Sequence, residues 1–447
     1  MTMQKLNIAT KTLLLLLVMC LCFHTFVIKT EAYGIEIPCP SSSKAYAVYL
    51  YCVETSNTLF DKNSDKKISP ASTVKLMTAL VAYDKIENKD AFVTLTEEMI
   101  GKQESNVMKL QVGEKIRIRD LFAGLVCSGY NDAANALAVI ASGSVEAFVE
   151  HMNEKAQEIG ATSTVYVEPT GIDDGAQTTA YDTMLVAKEF MNRALLMELS
   201  AAPSCDVSNT NKSSARTLYN RNALISNRTS TKYLNSSAKG LNAGMTSGGG
   251  YCVVTSTKKD DRTYICVVMG AIYEDESENV YSYVIANELL DHIDINLGYE
   301  VLIEAGTEIC KIPIVGAEIK KENVSVGPSE DVKAYLPSNY AESGTLKISY
   351  NYYTDQLTAP VAKGTVVGNI VVSYNDEILS VSDIVAFEDV ERDGFMYSLA
   401  IIKNAASSRV VIVGAICFIL LLTICFLIRP KLRTKQRRKR MGKYRYK

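Results

Sequence analysis

Ser72 and Lys75, in the stretch Pro70-Ala-Ser-Thr-Val-Lys-Leu-Met-Thr-Ala-Leu80, have the types and spacing of a nucleophile and its base. Residues three apart share a helix face, and a serine hydroxyl within reach of a lysine amine is activated without histidine. The spacing alone is weak, because Ser41/Lys44, Ser64/Lys67, Ser236/Lys239 and Ser256/Lys259 share it. Only Ser72/Lys75 opens a long apolar pattern (Val74, Met77, Leu80, Val81), with Pro70 at its start. That pattern predicts a helix running to about Ile86.

Rival chemistries lack their residues. The histidines are His24, His151 and His292. His151 and His292 fall in helix-like stretches and read as structural, so a Ser-His-Asp hydrolase or a histidine-bound metal site is hard to assemble. No cofactor or metal is expected. Of eleven cysteines, Cys20 and Cys22 lie in an N-terminal apolar run and Cys417 and Cys425 in a C-terminal one. The remaining seven, Cys127 beside Ser128 among them, form no CxxC framework or zinc pattern and are odd in number.

The ends of the chain bear on its compartment. Lys5 and Lys11 precede the apolar run Leu13–Phe23, and a cleavage site is expected near Thr30–Ala32. This is the layout of a secretory signal over 1–32, with an uncleaved anchor as the alternative. Residues 410–428 carry no charge and, as a helix, would reach about 28 Å, close to a hydrocarbon core. Residues 429–447 carry eleven Lys or Arg and no acid. The expectation is a single-pass transmembrane helix at 410–428, a cytoplasmic basic tail at 429–447 and an extracytoplasmic body. The whole chain has a formal charge of −3, which leaves −14 outside that tail. An acidic body argues against nucleic-acid partners, and the tail fits contact with anionic lipid at the cell membrane.

The elements that must position Ser72 follow in order. A strand is expected at Ala45–Glu54, turning at Thr55–Thr58 into a return strand. After the Ser72 helix, Glu104–Gly113 is irregular and polar. Helices are expected at Leu121–Val126, Ala133–Ala141 and Glu146–Gly160, and a capping box at Thr179–Asp182 precedes another at Met184–Ala194. Residues 203–238, rich in Ser, Asn and Thr, read as loop. Strands Tyr251–Thr257 and Thr263–Ile272 flank an Asp260-Asp261 turn, and a helix at Asn279–Ile293 follows. The first body is thus 40–295. Short alternating runs over 296–390 read as a β-rich domain, and 391–409 as a linker.

These residues resemble the serine D-alanyl-D-alanine carboxypeptidases, the low-molecular-weight penicillin-binding proteins, over about residues 45–390. That family carries Ser-x-x-Lys, a second element usually Ser-Gly-Asn, and Lys-Thr-Gly. Ser72-Thr-Val-Lys75 matches the first. Pro169-Thr-Gly-Ile-Asp173, Gln177-Thr-Thr-Ala-Tyr-Asp182 and Ala359-Pro-Val-Ala-Lys-Gly-Thr-Val-Val-Gly368 also look like the family. The resemblance implies an α/β fold: a DD-peptidase/β-lactamase-like transpeptidase domain, an antiparallel sheet flanked by helices, then a small all-β domain. It implies attack by Ser72 on the D-Ala-D-Ala carbonyl of a peptidoglycan stem peptide, with Lys75 as base. The Ser72 backbone N–H and one from the 244–246 strand would hold the oxyanion, water would release the acyl-enzyme, and β-lactam antibiotics would acylate the same serine.

The chain departs from the family pattern twice. The second element reads Ser128-Gly-Tyr-Asn-Asp-Ala-Ala134, one residue longer, so Asn131 keeps its role across a bulge or Tyr130 takes its slot. Ser128 and Asn131 are the preferred pair, with a plain helix cap as the alternative. The third reads Gly240-Leu-Asn-Ala-Gly244, followed by Met-Thr246. Asn242 and Ala243 stand where the family has lysine and threonine, and they, Gly244 and Thr246 are the candidate substrate-binding residues. Lys239, three residues along, is expected on the opposite face, and Arg262 sits one place from a slot where some members use arginine. Carboxylate recognition is therefore altered. Asn242 and Ala243 also motivate a second reading, a non-catalytic or weakly active penicillin-binding relative that binds cell wall.

Overall fold

The computed structural model describes residues 37–101, 105–173, 175–228, 230–318, 320–407 and 412–423. The expected signal and basic tail lie outside them. The chain divides into one unit of residues up to 298 with 337–339, and a second of 299–336 and 340 onward.

The first unit is built on an antiparallel sheet. Its strands are β1 (Ala47–Cys52), β2 (Asn57–Lys62), β5 (Lys239–Thr246), β6 (Gly250–Lys259) and β7 (Arg262–Ala271), in the order β2-β1-β7-β6-β5. The central strands β6 and β7 are buried on both faces over Cys252–Thr257 and Tyr264–Met269, which explains their continuous apolar runs. β5 ends the sheet order, so one of its sides has no strand partner.

One face of the sheet carries α7 (Tyr281–Asn296). The helical body contains α1 (Val74–Lys85), α2 (Ile118–Val126), α3 (Asn131–Ser142), α4 (Val145–Glu158), α5 (Ala180–Met191) and α6 (Ala194–Ala201). α1 is buried from Val74 to Ala82 and packs against α2, α3, α4 and α5. Such an all-round apolar helix belongs in the centre of a core. The Thr179 hydroxyl accepts from the Asp182 amide and caps α5, as the sequence suggested.

Two differences from the sequence reading bear on the site. Ser72 lies not in α1 but in a 3-10 turn, Ala71–Thr73, ahead of it. Residues 203–238 are not all loop: β3 (Ser204–Val207) and β4 (Arg216–Tyr219) form a hairpin.

The second unit contains a six-stranded sheet in the order Leu346–Tyr352, Val366–Tyr374, Glu377–Ala386, Asn323–Pro328, Cys310–Val315, Leu357–Thr358. Val324, Val326, Ile370, Val372 and Ile384 are fully buried in it. Gly394–Ser407, within the expected linker, is helical. Ile412–Thr423 is an apolar helical segment inside the expected 410–428 span, the rest of which lies outside the described residues. No single helix among the described residues is long and apolar enough to cross a membrane.

Candidate active site

The turn that carries Ser72 is gripped from two sides. Pro70 precedes it, and Ala71 has φ +48°, a left-handed conformation costly for a residue with a Cβ. On one side lies Gly171, with φ +78°; a Cβ there would stand 2.0 Å from the Ala71 carbonyl oxygen. On the other side lies the β5–β6 hairpin. A Cβ on Gly244 would meet Ser72 Cβ at 2.4 Å and Oγ at 2.6 Å, and one on Gly249 would meet Ala71 Cβ at 2.7 Å. Glycine is needed at 171, 244 and 249 because two backbones close directly onto the nucleophile.

Lys75 stands one turn into the chain from Ser72 and is 3 % exposed. Its amine donates to the Thr170 carbonyl. Loss of water around the ammonium is the main reason its pKa falls to about 7; the Arg221 charge lowers it further and Glu168 opposes the fall. The loop beneath is tied by Glu168, whose carboxylate accepts from Thr170 N at 2.6 Å, Thr170 Oγ1 at 2.5 Å and the Gly171 amide. Thr78 of α1 donates to the Pro169 carbonyl at 2.7 Å. Glu168 thus sets both the oxygen that receives the Lys75 amine and the glycine that backs Ser72.

The second element lies between α2 and α3. Ser128 is buried and donates its hydroxyl to the Tyr219 carbonyl of β4 at 2.9 Å. Gly129 has φ +65°, and a Cβ there would stand 3.3 Å from Arg221 Cδ. Asn131 is the first residue of α3 and is buried; its amide nitrogen donates to Ser105 Oγ at 3.0 Å. Tyr130 precedes the helix and is only half-buried. Asn106 steadies the whole turn, donating to the Ser128 and Gly129 carbonyls at 2.9 and 2.8 Å. Asp132 holds the neighbouring backbone through the amides of Met108 and Leu110 at 2.8 and 3.0 Å.

In the third element, Gly244 touches Ser72 as described. Asn242 and Ala243 are each 7 % exposed, and Asn242 Oδ1 has no hydrogen-bond partner. Thr246 Oγ1 accepts from the Gly249 amide at 3.0 Å, holding the turn into β6. A register irregularity lies between Lys239 and Asn242; Lys239 is exposed while Asn242 is buried. Arg262 pairs with Lys259 at the closed end of the β6–β7 hairpin. Cys252 stands opposite Gly244, so Arg262 lies seven strand positions beyond that level, about 23 Å away along the sheet.

Among the described residues no group of His, Cys, Asp and Glu could hold a metal. The residues that sequence reasoning missed are Glu168, Thr170, Asn106, Tyr219 and Arg221. Pro169-Thr-Gly171 pointed to their neighbourhood, but nothing local marks Arg221 as a site residue.

Comparison with known proteins gives a consistent outcome. The D-alanyl-D-alanine carboxypeptidase family matches residues 37–272, and the C-terminal domain of penicillin-binding protein 5 matches 299–392. The D-alanyl-D-alanine carboxypeptidase DacC of Escherichia coli is 30% identical over 375 residues, covering 79% of this chain and 86% of its own. DacF of Bacillus subtilis is 28% identical over 347 residues, 77% of this chain and 85% of its own. The crystal structure of penicillin binding protein 5 from Haemophilus influenzae superposes with a TM-score of 0.53 at 27% identity, covering 78% of this chain and 98% of that one.

Proposed function

The chain belongs to the D-alanyl-D-alanine carboxypeptidase family of serine peptidases, and from that premise we propose that it removes the terminal D-alanine from peptidoglycan stem peptides through an acyl-enzyme on Ser72. One observation carries the reading: a buried lysine, its amine stripped of water, one turn behind a serine clamped between two glycine contacts.

The chemistry follows from that placement. Neutral Lys75 takes the Ser72 proton as Oγ attacks the carbonyl carbon between the two D-alanines. The oxyanion is held by the Ser72 backbone N–H and one from Gly244–Thr246, strand backbone that passes directly over Ser72. Collapse breaks the peptide bond, and the leaving amine takes a proton by way of Lys75 and the Ser128 hydroxyl. Water, deprotonated by Lys75, then attacks the ester and frees the shortened peptide. A β-lactam follows the first half of the path and stays on Ser72.

Carboxylate binding differs from the usual arrangement. Asn242 and Ala243 bring neither the cation nor the hydroxyl. Arg221, packed over Gly129 and felt by Lys75, is the charge that this chain offers to the substrate carboxylate instead.

The test is D-alanine release from a synthetic stem pentapeptide. The wild type should release it and Ser72→Ala should not; equal release by both would defeat the proposal. Binding of labelled penicillin or cell-wall peptide without any release would favour the non-catalytic reading. The body is further proposed to act outside the cytoplasm, tethered by 410–428. The apolar run and the eleven-cation tail support this, and a chain ending before 410 should leave the membrane fraction.

A further inference from the structure

Cys127 ends α2, one residue before Ser128, and is buried. Its thiol donates to the Leu218 carbonyl of β4 at 3.5 Å. Leu218 is the direct cross-strand partner of Cys205 on β3. The strand position that receives Cys127 therefore has Cys205 as its cross-strand partner; the Cys205 thiol itself donates to the Leu199 carbonyl at 3.9 Å. Both are free. Cys205 is half-buried and lines a surface hollow with Arg117, Arg119, Asp120 and Asp206, so solutes reach it, whereas they do not reach Cys127.

We propose that Cys127 and Cys205 are a redox-active pair whose reversible disulfide moves Ser128 and slows the active site. The pair has the polarity that this reaction needs. The neighbouring Cys205, together with burial, holds the Cys127 thiol above the ordinary cysteine range. The neighbouring Cys127 in turn holds Cys205 below that range; Arg119 helps, while burial, Glu198 and Asp206 oppose. An accessible, acidified thiol beside a buried partner is the arrangement of an attacking and a resolving cysteine.

With a low-molecular-weight disulfide such as oxidised glutathione, the Cys205 thiolate attacks one sulfur and expels one glutathione thiolate. Cys127 then loses its proton, attacks Cys205 Sγ and expels the second. Two protein thiols are oxidised, one disulfide is reduced to two thiols, and the protons pass to glutathione or water. Bringing the two sulfurs to a bond of about 2.05 Å takes each off its carbonyl partner and moves the residues that carry them by on the order of 1 Å or more. Cys127 is bonded to Ser128 and accepts the Arg221 amide at 3.1 Å, so the shift reaches both. Misplacement of that size costs on the order of a hundredfold in a catalytic constellation.

The experiment oxidises the full chain with glutathione disulfide, alkylates it and maps its peptides. A Cys127–Cys205 linked peptide is expected, lost on reduction. Acylation by fluorescent penicillin should fall tenfold or more on oxidation and return on reduction, while Cys205→Ser keeps the reduced rate throughout. Glutathione remaining on Cys205 with Cys127 unlinked, or full cross-linking with an unchanged rate, overturns the proposal. The peptide map reads the cross-link without any acylation, so failure of the Ser72 reading is distinguishable from failure of this one. Matched thermal unfolding of reduced wild type and variant excludes misfolding as the cause.

Discussion

The pH dependence of acylation follows directly from the burial of Lys75. An ordinary lysine is protonated at neutral pH and cannot accept the Ser72 proton. In the folded chain the lysine pKa falls from 10.5 to about 7, with desolvation the main cause. That displacement corresponds to roughly 5 kcal/mol of preference for the neutral amine. The base is the deprotonated form, so activity is low below the folded pKa and rises as pH increases through it. About one-tenth of the lysine is neutral one pH unit below the midpoint and about nine-tenths one unit above. The second-order rate constant for acylation by a fluorescent penicillin should therefore rise about tenfold between pH 6 and pH 8, then level off. Stopped-flow fluorescence at constant ionic strength measures it, with unfolding checked at each pH. A rate that is flat from pH 6 to 8, or that falls as pH rises, refutes Lys75 as the base. A midpoint near 10 would show that the amine is solvated, against its 3 % exposure.

Two neighbours should move that midpoint in opposite directions. Arg221→Ala removes a cation that lowers the Lys75 pKa, so the midpoint rises; Glu168→Gln removes an anion that raises it, so the midpoint falls, and acylation also slows because Thr170 and Gly171 lose their carboxylate. A common direction for both variants in the same titration counts against this electrostatic layout. Gly244→Ala places a methyl 2.6 Å from Ser72 Oγ and should cut acylation a hundredfold or more while circular dichroism stays that of wild type; retained acylation means that β5 does not close on Ser72. With Arg221 present, Asn242→Lys should change kcat/KM for D-alanine release little; in an Arg221→Ala background it restores a charge-assisted contact worth about 1.5–3 kcal/mol and should raise kcat/KM roughly tenfold or more. No gain in that background would mean that the carboxylate is not held at position 242.

The parts of this site legible in the sequence were those whose signal is local. Apolar periodicity marked α1, and the Ser72/Lys75 spacing marked the pair at its start. The capping box at Thr179–Asp182 and the β6–β7 hairpin were legible for the same reason. The 3-10 turn was not, because the left-handed Ala71 is imposed by Gly171 and Gly249 packing from distant segments. The β3–β4 hairpin was hidden by its composition: Ser, Asn and Thr read as loop, yet Thr217 and Asp206 pair across it at 2.7 Å. Glu168 carries no local mark, because its role depends on three donors fixed by the fold. Arg221 lies far along the chain from Lys75 and acts on it only through space. The added residue in the second element leaves Tyr130 and Asn131 as rivals in the sequence; in the fold Gly129 is left-handed, Tyr130 is half-buried and Asn131 is buried.

The central claim is a covalent one, and peptide-level mass spectrometry of the penicillin-treated chain tests it most directly. The account predicts a single penicilloyl adduct on Ser72, formed by the wild type and absent from Ser72→Ala, with Lys75→Met forming it far more slowly. An adduct on any other residue, or an intact Ser72 peptide after prolonged exposure in a folded protein, would contradict it.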